Sequence, residues 1–236
     1  MKIAVMDLTT HPEPLLSGLP RVGEQVVAWM KRGLPEATYR WYAVAEDGEA
    51  LPQVEDFDGL VLSGSEFGVY DDVPWMAPLR QLLLDTKAAG KPIYGICFGH
   101  QLMADTFGGK AEKVHAPVMG AQRYAFEGRD VDVHVWHKDQ VTEVPPGATV
   151  TGAASYCPVG ALAYDFPAAS VQFHPEYSER QLRALYDRFT GIGEVDPDDR
   201  DKALASFEGA AVSPDLAAAE MGDFFRQHLA QSASLA

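Results

Sequence analysis

A short apolar run that leads straight into a helical pattern is the feature of this sequence that most restricts its fold. Residues 92–96 indicate a buried strand, and residues 98–107 carry apolar side chains at helical spacing before a pair of glycines. Cys97 lies at the junction, with Gly95 two residues before it and Gly99 two residues after it. This G-x-C-x-G pattern is the thiol version of the nucleophile elbow, a sharp turn that presents a reactive side chain.

The chemistry of such a corner explains its glycines. A strand that turns directly into a helix forces the corner residue into a strained conformation, and its neighbours must lack side chains so that strand and helix can close up. The corner also puts Cys97 at a helix N-terminus, where unpaired N–H groups and the helix dipole favour a thiolate. Buried free cysteines are common, so a structural cysteine is the alternative interpretation of this motif alone.

A second motif, VQFHPE at residues 171–176, supplies the groups that would activate a thiol. The apolar strand ends in His174, and Glu176 follows two positions later. Residues two apart on a strand project to the same side, which is the geometry of a base and the carboxylate that orients it. A strand with a purely structural role would not be expected to end in His-Pro-Glu.

These two motifs in this order resemble the class I glutamine amidotransferases. The resemblance rests on GICFGHQ and QFHPE, runs over residues 1–191, and extends to LSGSEFGVYDDVPW and VWHKDQV, which are similar to the free-standing, GMP-synthase-like subgroup. It implies a flavodoxin-like three-layer α/β sandwich. The order of the elements agrees, because strands alternate with helices first and a β-rich run follows, which predicts a mostly parallel sheet with an antiparallel extension.

The resemblance also implies a set of site residues. Cys97, His174 and Glu176 match the catalytic triad, and the backbone N–H groups of Ser65 and Phe98 match the oxyanion hole. The positions that match substrate contacts are Gly64, Gln101, His137, Lys138 and Asp139. Ser65 stands where many members carry a second glycine, and Lys138 where many glutaminases have a serine. A lysine there suits a carboxylate further along a γ-glutamyl substrate larger than glutamine.

Composition bounds the remaining possibilities. The chain has 236 residues, two cysteines and a formal net charge of −15. This size fits one α/β domain, which we assign to residues 1–191, and two cysteines give no disulfide framework, as in a reducing cytoplasmic protein. The charge disfavours nucleic acid and anionic membranes as partners. No metal-ligand spacing and no phosphate-binding loop occur in the sequence, so neither metal nor cofactor is predicted.

The C-terminal part, residues 192–236, is predicted to be an acidic linker around residues 194–200 followed by a helix. That helix starts at Ser213-Pro214 and carries an apolar stripe. We expect it to pack on the same domain; docking of a partner or of a second copy is the alternative.

Three functions follow as hypotheses. The first is a glutaminase that forms a γ-glutamyl thioester on Cys97 and releases ammonia to a synthetase supplied in trans. The second is a free-standing γ-glutamyl peptidase that releases an amine from a larger substrate. The third is a non-catalytic binding protein on the same fold, which an intact Cys97, His174 and Glu176 disfavour.

Overall fold

The computed structural model describes residues 1–234, with the side chains at 115, 116 and 231–234 left aside. Within this part of the chain the strands are β1 Lys2–Asp7, β2 Thr38–Ala43, β3 Gly59–Leu62, β4 Ile93–Ile96, β5 Lys110–Phe126, β6 Arg129–Glu143, β7 Ala148–Ala154, β8 Cys157–Tyr164 and β9 Ala168–Val171. The α-helices are α1 Val22–Gly33, α2 Met76–Ala88, α3 Phe98–Thr106, α4 Glu179–Gly191, α5 Pro197–Ser206 and α6 Pro214–Ser234. None of the helices among these residues is long and apolar enough to cross a bilayer.

The described strands form one sheet of nine, in the order β2-β1-β3-β4-β9-β8-β7-β5-β6. Pairing is parallel from β2 to β9 and antiparallel from β9 to β6. The short apolar strands β3 and β4 are buried along their whole length, as expected where helices cover both faces of a parallel sheet. The predicted parallel sheet with an antiparallel extension is confirmed.

The alternation of side chains along β1 divides the core into two layers. Ile3 and Val5 point into a core formed with α1 and α6, whereas Ala4 and Met6 point into a core formed with α2 and α3. The parallel half of the molecule is therefore a three-layer sandwich with the sheet in the middle.

The antiparallel extension is built on one long hairpin. β5 and β6 are joined by a two-residue turn in which Glu127 has φ 48° and Gly128 has φ 72°, the conformation of a tight type I′ hairpin. The hairpin is part of the β-rich run that the sequence predicts after the alternating strands and helices. Its outer layer is formed by α4 and α5, where Tyr186 of α4 and Phe207, directly after α5, pack with Met119 of β5.

The linker predicted for residues 194–200 is wrong in part, because α5 begins inside it at Pro197. The Asp196 side chain accepts a hydrogen bond from the Asp198 N–H at 2.8 Å, and proline occupies the first helical turn. These acidic residues therefore cap and open a helix rather than solvate a linker. The division into a domain at residues 1–191 and an extension at 192–236 stays a prediction.

Helix α6 packs along α1 where both helices carry glycine. A Cβ on Gly33 would lie 1.7 Å from the Ala218 carbonyl oxygen, and one on Gly222 would lie 2.2 Å from the Gly33 carbonyl oxygen. Arg226 of α6 donates to the Gly33 carbonyl at 2.6 Å and pairs with Glu36. The two helices thus touch backbone to backbone, which only glycine permits.

Candidate active site

Cys97 occupies the corner between β4 and α3, as the sequence predicts. Its backbone has φ 51° and ψ −102°, a conformation that costs an L-residue about 1–3 kcal/mol. The flanking glycines are required by contact, since a Cβ on Gly95 would lie 2.6 Å from the carbonyl carbon of Gly99, and one on Gly99 would lie 2.7 Å from the Leu62 oxygen. The Cys97 N–H donates to the Val171 carbonyl at 2.8 Å, which ties the corner to β9.

His174 and Glu176 lie beside this corner, just after β9. His174 Nδ1 and Glu176 Oε1 are 2.6 Å apart, and both side chains are buried. Because a carboxylate accepts, Nδ1 carries a proton, and Nε2 is left for the neighbouring Cys97 thiol. The His174 backbone is also fixed, since its N–H donates to the His134 carbonyl at 2.8 Å.

Opposite charges set the protonation of His174. Burial alone would lower the pKa of its imidazole, but the negative charges of Glu176 and Cys97 outweigh burial and hold the pKa of His174 well above its ordinary value. An imidazolium is therefore the favoured form of His174 near neutral pH.

The loop after β3 lies against the same two residues. A Cβ on Gly64 would be 2.9 Å from His174 Cε1, so only glycine fits this close approach. The buried Ser63 hydroxyl accepts from the Leu8 N–H at 2.9 Å and donates to the Gly64 carbonyl at 2.7 Å. In a trans peptide the N–H points opposite to the carbonyl, so Ser63 fixes the direction of the Ser65 N–H. Phe98 begins α3, and its N–H is one of the first-turn donors without an intrahelical acceptor.

A chain of side-chain amides approaches Cys97 from the other side. Gln101 Nε2 donates to the Asp139 carbonyl at 2.8 Å and to Gln172 Oε1 at 3.1 Å. Gln172 Nε2 in turn lies 3.6 Å from the Cys97 sulfur. With both of its amide hydrogens used, Gln101 keeps its oxygen as an acceptor for a ligand in the cleft that it lines.

His137 and Asp139 form the buried wall next to Gln101. His137 Nδ1 lies 3.0 Å from the Asp139 carbonyl, and its Nε2 lies 3.2 Å from the Tyr156 hydroxyl. Burial lowers the pKa of His137 to about 4, so this ring is neutral and structural at physiological pH. The Asp139 side chain is 4% exposed, and among the described residues its Oδ1 has no hydrogen-bond partner. It is an acceptor without a donor beside the cleft.

A cleft of about 550 Å³ joins these groups. Eight of the ten predicted site residues line it: Gly64, Ser65, Cys97, Gln101, His137, Lys138, Asp139 and His174. Glu176 lies behind His174, and Phe98 is buried in the core with only its backbone at the corner. Lys138 is exposed.

The far end of the cleft was not foreseen from the sequence. Its apolar lining comes from the loop after β1 and from the end of α4, namely Leu15, Leu16, Leu19, Phe189 and Ile192. The acidic residues Glu194, Asp196 and Asp199, which follow α4, also line the cleft. Arg188 of α4 joins this helix to the loop after β1 by donating to the carbonyls of Leu15 and Ser17 at 2.8 and 3.0 Å. Gln172 was also missed, although the alternation that pairs His174 with Glu176 puts residue 172 on the same side. Within residues 1–234 no group of three or more His, Cys, Asp or Glu side chains could hold a metal ion.

Comparison with known proteins identifies the family. The model of the family described as glutamine amidotransferase class-I matches residues 22–190, well over half of the chain. The chain belongs to the class I glutamine amidotransferases. The predicted resemblance, fold class and enzyme class are confirmed, and the chain is a cysteine hydrolase or transferase of this family.

Individual relatives of this amidotransferase fall into two groups. Gamma-glutamyl peptidase 3 of Arabidopsis thaliana is 27% identical over 66% of this chain and 70% of its own length. One of the subunits of the glutamine-hydrolysing GMP synthase of Halobacterium salinarum is 34% identical over 63% of this chain and 82% of its own. The crystal structure of a glutamine amidotransferase from Thermotoga maritima superposes with a TM-score of 0.71 at 16% identity, over 97% of each chain. Of the full-length GMP synthases it matches, the chain spans only about a quarter.

Proposed function

We propose that this amidotransferase hydrolyses γ-glutamyl amides through a thioester on Cys97. The observation that carries the proposal is the strained corner that places the Cys97 thiol beside the buried His174–Glu176 pair. A structural cysteine needs neither a strained backbone nor a charged imidazole beside it. A base oriented by a carboxylate is the arrangement that activates a thiol for acyl transfer.

In the proposed reaction the thiolate attacks the γ-carbonyl carbon, and the N–H groups of Ser65 and Phe98 stabilise the oxyanion. Loss of one such donor typically lowers the rate by about 10²–10³-fold. The leaving ammonia or amine takes a proton from His174 as the C–N bond breaks. Water then attacks the thioester, His174 accepts the water proton, and glutamate leaves as the C–S bond breaks.

Two acceptors support recognition of the α-amino group of a γ-glutamyl substrate. The free oxygen of Gln101 and the Oδ1 atom of Asp139, which has no hydrogen-bond partner among the described residues, belong to two residues that line the same cleft. An ammonium group has three donors and no acceptor, so it complements both oxygens. We assign the α-ammonium to this wall, with Gly64 and the neutral His137 as its borders.

The size and lining of the cleft favour an amide larger than glutamine. A volume of 550 Å³ lies in the range of about 300–1,000 Å³ typical of sites for drug-sized ligands, and part of its lining is apolar. Glutamine would leave the apolar end empty, whereas a γ-glutamyl peptide would extend its leaving group into it, with Lys138 available to a carboxylate. A peptidase-like activity is therefore our preferred assignment, and ammonia transfer to a synthetase in trans is the second candidate.

The test is glutamate release by the purified protein from glutamine, γ-glutamyl dipeptides and glutathione. We expect the highest kcat/KM with a γ-glutamyl peptide and no turnover by Cys97→Ala, while the matched control Cys157→Ala stays active. Release from glutamine alone would favour the synthetase-coupled function. Activity that survives Cys97→Ala would overturn the thioester mechanism, and no release by any form would favour a binding protein.

The proposed setting is the cytoplasm, with a small-molecule substrate and neither nucleic acid nor membrane as partner. Both cysteines are free in the described structure, and a reducing environment suits a catalytic thiolate. The net charge of −15 repels polyanions.

A further inference from the structure

Gln172 is a buried polar side chain in contact with the sulfur of Cys97. It has no exposed surface, its Nε2 lies 3.6 Å from Sγ, and its backbone N–H is anchored to the Gly160 carbonyl at 2.8 Å. Its side-chain oxygen meets Gln101 Nε2 at 3.1 Å. Neither the family comparison nor the motif analysis gives this residue a role.

The orientation of the Gln172 amide follows from a backbone group. The Asp139 carbonyl can only accept, so the Gln101 atom that contacts it must be the nitrogen. That nitrogen has its second hydrogen directed at Gln172, so the Gln172 atom facing it must be the oxygen. The Gln172 nitrogen is then the atom that faces Cys97. Two successive constraints, starting at a carbonyl, leave the sulfur facing an N–H donor.

We infer that Gln172 is a further catalytic residue, which donates a hydrogen bond to the Cys97 thiolate. A neutral thiol is a weak acceptor, whereas a hydrogen bond to a charged group is about twice as strong as a neutral one. The contact therefore favours the thiolate over the thiol. The inference rests on the proposed role of Cys97 as the nucleophile.

The same contact has a consequence in the second half of the reaction. When water attacks the thioester, a C–O bond forms, the water proton moves to His174, and the C–S bond breaks with its electron pair returning to sulfur. A donor at the sulfur stabilises this returning charge, so Gln172 promotes departure of the thiolate. Because Gln101 lines the cleft and holds Gln172, the residue that contacts the substrate also orients the donor at the nucleophile.

The test measures the reactivity of the thiol without a substrate, so it is independent of which amide is cleaved. In a Cys157→Ala background, alkylation of Cys97 by iodoacetamide is followed as a function of pH for the parent and for Gln172→Met, which keeps the length but lacks the donor. We expect the profile to move up by about one pH unit, with about a tenfold lower rate near pH 7. Gln140→Met, at another buried glutamine, is the matched control and should leave the profile in place.

A second variant covers the case in which Gln172→Met does not fold. Gln172→Glu keeps the shape of the side chain and puts a carboxylate beside the thiolate, so it should move the profile upward by more than Gln172→Met. With a γ-glutamyl substrate, both variants should accumulate acyl-enzyme and show a burst of amine release. An unchanged alkylation profile in a folded Gln172 variant would overturn the inference, even if turnover fell. Loss of all turnover in the parent with a shifted profile would instead count against the proposed function alone.

Discussion

The two cysteines of this protein are both buried, but their backbone conformations and their contacts differ. Cys97 is 4% exposed and Cys157 is not exposed at all. Cys97 sits at a positive-φ corner at the start of a helix, next to an imidazole and a side-chain amide. Cys157 begins β8, and its thiol donates to the Val159 carbonyl, at 3.7 Å. Burial raises the pKa of the Cys157 thiol to about 11.

The groups around each thiol, rather than its exposure, therefore determine its ionisation and its reactivity. Around Cys97 the fold supplies a cation, an N–H donor and a cleft that a substrate can enter. Around Cys157 it supplies apolar side chains and tyrosines, so the neutral thiol is the stable form. Three experiments test this difference between the two cysteines.

The largest effect is expected from removing the charge behind His174. In Glu176→Gln the shape is kept, but the carboxylate that stabilises the imidazolium is lost, and the pKa of His174 should fall. We expect kcat to drop by about 10³–10⁴-fold with little change in KM. The measurement is steady-state release of glutamate across a range of pH from about 6 to about 9, in which the activity lost should not return at any pH. A decrease of less than about tenfold would mean that Glu176 does not control the imidazole.

A smaller effect separates the two thiols directly. At pH 7, iodoacetamide should alkylate Cys97 at least about 10²-fold faster than Cys157 in the folded protein, because only the thiolate reacts and only Cys97 borders the cleft. Peptide mapping by mass spectrometry after timed quenching gives both rates in one experiment. Unfolding in denaturant should make the two rates nearly equal. Equal rates in the folded state would contradict the proposed difference in reactivity between Cys97 and Cys157.

The smallest effect concerns stability at alkaline pH. The folded state keeps Cys157 neutral up to a pKa of about 11, whereas in the unfolded chain the thiol ionises near its ordinary value of 9.0. The unfolded state therefore binds fewer protons between these values, and the free energy of unfolding falls as pH rises from about 9 to about 11, by at most about 3 kcal/mol.

Urea unfolding at pH 8 and at pH 10.5 measures this loss. Cys157→Ala should show a smaller decrease between the two pH values than the wild type, whatever its stability at pH 8. Cys97→Ala serves as the control that keeps Cys157. An identical alkaline decrease in Cys157→Ala would mean that other groups, such as the buried tyrosines, cause it.

Local signals explain which parts of the fold could be predicted. The strand-to-helix corner at Cys97 and the capping box that opens α4, in which Ser178 and Gln181 exchange hydrogen bonds, are each encoded within a few residues. The same holds for the buried strands of the parallel half, whose apolar runs are continuous. The strand and the helix on either side of Cys97 were predicted to within one residue of their observed bounds.

Distant partners explain what could not be predicted. The orientation of the Gln101 amide is set by the Asp139 carbonyl, and that of the Gln172 amide by Gln101. Because these partners are distant in sequence, neither orientation can be predicted from the neighbouring residues. The apolar end of the cleft combines a loop near residue 15 with α4, joined by Arg188 across more than 170 positions. Helix α5 was missed because its acidic first turn resembles a solvated linker unless Asp196 is recognised as a cap.

The strained backbone at Cys97 also determines which substitutions the fold tolerates at this position during evolution. With φ at 51°, the corner would be more relaxed with glycine than with any residue that has a Cβ. A substitution of Cys97 by glycine can therefore raise the free energy of unfolding while it removes the nucleophile. Selection for structure alone would erode this activity, so the cysteine persists only as long as the chemistry itself is needed.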